Sequence, residues 1–461
     1  MPPVADHPLR YALTNELHAR PAPQVPVPGT AVFLALKPVA DAAARDRDAD
    51  RAQLEALLDR HGAAHPAPGA THHGCQLGRL GLKWESHTEF TTYTVFAAGT
   101  PDRAFDPAGF DMLPADWLAK APDSRMTSIL FLVQPMPGSE DGSDDEDRLQ
   151  RHLDDWFEAE SLAVARVLDG AAIVASDFRI DPAGHIRMAV FVQPGTGPRR
   201  VGRIVQRLCE IETYKTMSML GLARARKVGA EMGDLDRQLT ALIESMARGL
   251  AGAGPDAATG GTATPLGTQL AAQEALDRLM AVSAELERLE VSASFRFGAT
   301  RAYEALVHAR IQALREVRYR GRQTLAEFMQ RRYDPAMRTV KAAEGRLATM
   351  SNRAQRASRL LSTQVEVARS AQNQELLRSM DRRSDLQLRL QHTVEGLSVV
   401  AISYYAVGLA ANLTVPLAEP LGLGRGATMA LLTPLVIALV WVLVRRVRKG
   451  LSARARAAEG G

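Results

Sequence analysis

Two short segments gather side chains able to move protons or hold a metal. In NELHARP, Glu16, His18 and Arg20 alternate near the start, and in KWESHTEFTTYT, Glu85, His87 and Glu89 do the same. Imidazole and carboxylate groups together supply metal ligands and proton acceptors. If the second segment is a strand, its alternation places Glu85, His87 and Glu89 on one face, and Trp84, Ser86, Thr88 and Phe90 on the other. The chemistry this predicts is a metal or acid–base site in which His18 and His87 converge. Glu16, Glu85 or Glu89 would be ligand or proton acceptor, Arg20 completes the set, and a divalent cation is the cofactor it would take. The plain alternative is a solvated sheet face beside a hydrogen-bonded N-terminal arm. A second metal-capable set, His61, His65, His72, His73 and Cys75, is strung along a segment whose middle, AHPAPGATHHG, reads as a loop.

Positioning these groups falls to residues 1–197, where strand-like and helix-like stretches alternate. AVFLAL from Ala31, FTTYTVFAA from Phe90, SILFLV from Ser128, AAIVASDFRI from Ala171 and HIRMAVFVQ from His185 read as strands. Helices are predicted around Asp50 to His61 and around Arg148 to Leu168. Asp181-Pro182-Ala183-Gly184 is a credible hairpin turn between the last two strands. Hairpins mixed with crossovers predict an α+β domain rather than a doubly wound sheet. Neither a phosphate loop, a dinucleotide fingerprint nor a nucleophile elbow stands at a strand-to-helix junction, and the glycines of GCQLGRLGLKW do not match those spacings.

Residues 198–394 change character and predict a helical bundle or stalk. Ile204, Leu208, Ile211 and Lys215 share one mostly apolar stripe, as an amphipathic helix requires. A break is expected near Gly229 to Gly233, and the Gly-, Ala- and Thr-rich residues 251–267 read as a flexible loop. Helix resumes at Gln269 and is expected to run to Arg332. Asp334 then reads as the cap of a new helix broken off by Pro335. Val340, Leu347, Ala354, Leu361 and Ala368 recur every seven residues, flanked by Ala343, Met350 and Ala357, which predicts a coiled-coil or bundle seam. At about 1.5 Å per residue, a helix from there to the end of the next apolar run would be a rod of roughly 110 Å.

Residues 395–446 predict a transmembrane hairpin. Two runs, 396–413 and 427–444, carry no charged side chain, and each is about long enough to cross a bilayer. Pro434 inside the second is tolerable there. Ser403, Tyr404, Tyr405 and Asn412 are the polar groups of the first run, suited to lining a pore or to joining helices. Arg382, Arg383 and Arg389 precede the first run, and Arg445, Arg446, Arg448 and Lys449 follow the second, leading into a basic tail over 447–461. The connection between the runs has only Arg425, so both termini are expected in the cytoplasm.

The chain of 461 residues is long enough for two or three structural units. Its 56 basic and 52 acidic side chains nearly balance at a net charge of +4, which does not suggest a nucleic-acid binder. Two distant cysteines, Cys75 and Cys209, fit a reducing compartment. The N-terminus reads without the apolar core of a cleavable signal peptide. The expected location is a bacterial inner membrane, with the lipid bilayer and further copies of the chain as partners.

NELHARP, KWESHTEFTTYT, ETYKTMSMLGLARAR from Glu212 and TVEGLSVVAISYYAVGL at the first apolar run resemble a bacterial family of uncharacterised membrane-anchored proteins. That resemblance covers the whole chain and implies membrane anchoring without an assigned activity. In the order of its parts the chain is also similar to the CorA-type divalent-cation channels, in which five first spans line a pore. The Gly-Met-Asn signature of those channels is absent, and of the residues from Tyr405 to Asn412 only Asn412 offers a comparable group. The leading expectation is a membrane-anchored, oligomeric, non-enzymatic protein with a cytoplasmic sensing or binding domain, extending to a divergent CorA-like ion pathway. The alternatives are a membrane-tethered metal-dependent hydrolase and a membrane scaffold that recruits cytoplasmic partners.

Overall fold

In the computed structural model, residues 4–16, 22–39, 45–137, 145–251, 265–418 and 425–458 are described. The chain divides into two units, Met1–Gly260 with Ala275–Ser358, and Gly261–Glu274 with Arg359–Gly461. The fold is an α+β sheet domain followed by long helices and a C-terminal helix hairpin, as the residue patterns require.

In the first unit, helix α1 (Arg10–Glu16) precedes strand β1 (Gly29–Lys37) and helix α2 (Arg47–Arg60), which Asp46 caps through the backbone N–H groups of Asp48 and Ala49. Strands β2 (His72–Leu77), β3 (Leu80–Ser86) and β4 (Thr91–Ala98) follow, then the short helix α3 (Ala115–Leu118) and β5 (Ser124–Pro135). Helix α4 (Asp145–Trp156) leads to β6 (Ala163–Val167), β7 (Ala172–Ser176) and β8 (Ile186–Val192). The long helices α5 (Pro198–Ala251) and α6 (Pro265–Leu314) come next, then β9 (Val317–Arg318) and α7 (Leu325–Phe328). The last helices are α8 (Asp334–Ala418), which spans both units, and α9 (Arg425–Ala458).

The nine strands form one sheet in the order β2-β3-β4-β1-β5-β8-β7-β6-β9. Every pair is antiparallel except β5 with β8, so two antiparallel halves join along one parallel seam. One core packs Leu54, Leu57 and Leu58 of α2 and Trp117 of α3 against Val32, Leu34, Trp84 and Tyr93 of the sheet. A second packs Leu149 and Leu153 of α4 against Val164, Ile173 and Phe191, with Tyr319 from the chain after β9. The α5 stripe is real: Ile204, Leu208 and Ile211 are buried. Lys215, at its end, donates to Glu212 at 2.7 Å and lies 4.8 Å above the Phe178 ring.

Four expectations are corrected. The helix predicted to Leu168 ends at Trp156, and Ala163–Val167 is strand β6. A strand covered on both faces loses its alternation and reads as a plain apolar run. The break at Gly229 to Gly233 does not occur, because Val228, Met232, Leu235 and Leu239 keep a buried stripe through it. Helix α6 stops at Leu314, where Arg315 turns to positive φ and β9 adds an edge strand beside β6. The last helical run begins at Leu325, behind a capping box of Thr324 and Glu327, rather than at Asp334. A π-turn over Met329–Tyr333 then lets the Asp334 N–H reach the Met329 carbonyl, so that Pro335 is carried without ending the helix. Of the loop expected over 251–267, residues 252–264 lie outside the described residues, while Ala251 closes α5 and Pro265 opens α6.

The heptad seam is buried inside the first unit at Val340, Leu347, Met350, Ala354 and Ala357. Lys341 to Glu304 at 2.9 Å, Ser351 to Glu290 at 3.1 Å and Arg346 to Asp236 at 2.8 Å bind this part of α8 to both α6 and α5. In the second unit Leu361 is buried and Ala368 exposed.

Among the described residues two helices are long and apolar enough to cross a membrane, with windows of mean hydropathy 1.5 and 1.9. Burial there is confined to one stripe of each. Ser403 and Ala411 are buried on α8, with Ala406, Val407, Ala410 and Thr414 half-buried beside them. Val440 is buried on α9, with Leu432, Thr433, Val436 and Val444 half-buried. The hydroxyls of Ser398, Thr414 and Thr433 bond carbonyls four residues back in their own helices.

Candidate functional site

The strand that was to carry Glu85, His87 and Glu89 on one face ends at Ser86. Residues 87–90 are the turn between β3 and β4, closed by the His87 N–H on the Phe90 carbonyl at 2.9 Å. Alternation holds only as far as Glu85, whose side chain pairs with Lys83 at 3.0 Å. The other two side chains leave the strand face. His87 stacks on Phe90 with ring centroids 4.4 Å apart. Glu89 is buried in an ion pair with Arg296 at 2.6 Å and accepts the Tyr303 hydroxyl at 3.1 Å, both from α6.

Arg45 anchors the other side of the turn. Buried with Asp50 at 2.6 Å, it donates to Ser86 Oγ at 3.1 Å, Thr91 Oγ1 at 2.5 Å and the His87 carbonyl. Clamped from two directions, the turn is held rigidly against α5 and α6. Two connected clefts result, sharing His87, Phe90 and Tyr214. The first, only about 20 Å³, lies between the sheet and α5 and is lined by Lys83, Glu85, Thr92 and Thr94 facing Gln206, Cys209, Glu210 and Thr213. The second, about 310 Å³, opens beyond the turn to Arg47, Thr71 and Tyr303.

An aromatic wall joins the two. The Tyr214 and Tyr303 rings stack with centroids 5.7 Å apart, and Phe90 stands 6.4 and 6.3 Å from them. Burial and the Glu89 carboxylate push the Tyr303 hydroxyl above its ordinary pKa, which keeps it a donor. Burial likewise raises Cys209, so it stays a thiol rather than a nucleophilic thiolate. Glu210 accepts from Gln206 at 2.8 Å and pairs with Arg310. With Lys83 and Glu85, Glu89 and Arg296, and Glu210 and Arg310 paired, the site offers stacking surfaces and oriented hydrogen bonds, the equipment of small-molecule recognition.

The remaining candidates fall elsewhere. Glu16 closes α1, and His18 and Arg20 lie outside the described residues. His72 is paired across from Glu85 on β2, His65 bonds Asp59 at 2.7 Å, and His61 follows the end of α2. Burial lowers His73 and raises Cys75 from their ordinary pKa values. Among the described residues no three His, Cys, Asp or Glu side chains are placed to hold a metal ion. Tyr404 and Tyr405 are exposed, as is Asn412, whereas Ser403 sits on the buried stripe. Sequence reasoning did not single out Arg45, Arg296 or Tyr303. Of the four aromatic and basic anchors, Tyr214 alone carried a signal, because it stands in ETYKTMSM, one of the segments that resemble a bacterial family.

Fold and cleft define a mixed-sheet α+β protein with a ligand-sized aromatic cleft and two long apolar helices at its C-terminal end. The chain belongs to the family described as "Protein of unknown function (DUF3422)", whose model matches residues 5–451. Neither the curated proteins nor the solved structures contain a match to it. These comparisons add no support to the resemblance to CorA-type channels.

Proposed function

We propose that this is a membrane-anchored binding protein, in which the C-terminal helices cross the bilayer and the cleft around the β3–β4 turn receives a small ligand. The observation that carries the anchoring is the exposure of the two apolar windows, of which only 11% and 6% is buried within the chain. Leu409, Leu431, Leu435 and Leu439 are each at least 65% exposed, surface that water would penalise and lipid would not. Hydroxyls bonded within their own helices suit an interior without water. Arg445 over the Trp441 ring at 4.8 Å is the pairing expected at a bilayer interface.

The basic residues flanking both windows favour cytoplasmic termini in a bacterial inner membrane. The outward-facing Tyr404, Tyr405 and Asn412 leave a face open to further copies of the chain, and homo-oligomerisation belongs to the same reading. The full chain, expressed in bacterial cells, is expected to stay in the membrane pellet after alkaline carbonate and to be released by detergent. Release by carbonate alone would overturn the anchoring.

A further inference from the structure

A third cleft lies on the opposite half of the sheet domain, between the start of α5 and the end of α6. It is about 690 Å³ and is lined by Arg200, Arg203, Arg207 and Arg315, with Ala309 and Ala313 leaving room between the helices. Arg200, Arg203 and Arg207 recur at intervals of three and four, so they stand on one stripe of α5. Not one carboxylate lines the cleft among the described residues.

Part of this charge has a structural use. Arg200 donates to the Leu168 carbonyl at 2.6 Å, and Asp169 lies 3.8 Å from Arg200 and 2.6 Å from Arg315. Arg207 donates to the Ala313 carbonyl at 3.0 Å in the last turn of α6. Arg310 is taken by Glu210. Five guanidiniums thus face two carboxylates, leaving an excess of three positive charges. Arg203 is exposed and makes neither a hydrogen bond nor an ion pair among the described residues.

Such an excess works against the fold. Arg199 and Arg200 occupy the first turn of α5, where the helix dipole disfavours cations and where acidic residues are absent. Burial, and then the neighbouring Arg203, Arg310 and Arg315, lower Arg207 from its ordinary pKa, partly offset by Glu210. Repelling charges held around open space are relieved by a multiply charged anion, and guanidinium forks match phosphate oxygens in pairs.

We propose that this cleft is a phosphate site, in which Arg203 and Arg207 grip a phosphoryl group carried by a soluble phosphate compound or by a phospholipid headgroup, with Arg200 and Arg315 at its rim. To test it, the full-length chain in a neutral detergent is titrated with sodium pyrophosphate in one arm and with dioctanoyl phosphatidic acid in another. Each is compared with sodium chloride at matched ionic strength, and the unfolding midpoint is followed. Saturable stabilisation by pyrophosphate supports the site with a soluble ligand, and saturation by the lipid alone supports it with a headgroup. In the arm that saturates, Arg203→Glu weakens binding about tenfold or more, the equivalent of one strong charge-assisted contact. Because Arg203 is exposed and adds to the repulsion, an unliganded midpoint at or above that of the parent certifies that the variant is folded, and Arg207→Gln provides an independent second loss. Failure to saturate in both arms, or full affinity in both variants, overturns the proposal.

Discussion

Glu89 and Glu316 are both carboxylates withdrawn from water, and their surroundings decide opposite outcomes. At 2% side-chain exposure, Glu89 is compensated by the Arg296 guanidinium and the Tyr303 hydroxyl, so its charge ties the β3–β4 turn to α6. Glu316 draws its support from backbone N–H groups at the start of α7, among them that of Ala326 at 2.9 Å. Burial outweighs them and raises its pKa from 4.5 to about 6. A carboxyl with a raised native pKa binds its proton more tightly in the folded state. Its contribution is therefore fully present below about pH 4.5 and is lost as pH rises through about 6. The difference amounts to about 2 kcal/mol. Glu316→Gln, which keeps an acceptor for the N–H groups, is expected to cancel this loss. Relative to the parent chain, the variant's unfolding midpoint should climb between pH 4.5 and pH 7. A constant offset across that range would show that the buried charge has no such effect.

At the scale of elements, α5 and α6 approach closely at Gly221. A Cβ there would stand 2.2 Å from Thr300 Oγ1, so the missing side chain sets the crossing. Gly221→Val is expected to force the helices apart, cost about 1–3 kcal/mol, and speed proteolysis within both helices. An unchanged melting midpoint would show that the crossing tolerates separation. Patterns such as this explain what was legible. Strands β1, β4, β5, β7 and β8 were visible as short runs of apolar and β-branched residues between turns, and the stripe of α5 because its apolar residues recur at the helical period. Strand β2 was hidden because its first residues, His72, His73 and Gly74, close the run AHPAPGATHHG, which reads as a loop until pairing with β3 makes it a strand. Gly81 of β3 is small because the Phe96 ring lies across it, 2.0 Å from where a Cβ would be. Strand β9 has two residues and owes its state to pairing with β6 rather than to any pattern of its own. The cleft was legible as segments but not as a place. KWESHTEFTTYT and ETYKTMSM supply its two walls, yet Arg45, Arg296 and Tyr303 reach it from parts of the chain with no local mark. The same limit applies to Glu85, His87 and Glu89, whose even spacing resembled one strand face until a turn intervened.

For the molecule as a whole, the decisive quantity is the medium around the C-terminal helices. Leu435 of α9 and Leu388 of α8 are 65% and 54% exposed within the chain, so folding alone treats them alike. They differ in setting, because Leu435 lies inside an apolar window and Leu388 in the charge-rich part of α8. In water, Leu→Arg at either exposed helical position costs no more than about 0.5 kcal/mol. In the middle of a bilayer the same change costs about 2.5–3.5 kcal/mol. Leu435→Arg is therefore expected to lower the amount of chain recovered in carbonate-washed membranes several-fold, while Leu388→Arg leaves it unchanged. Both substitutions add the same charge to an exposed leucine, so a difference between them reports the solvent rather than the side chain. Equal recovery of the two variants would mean that water, not lipid, surrounds Leu435, and the exposed apolar stripes would then need a protein partner to cover them.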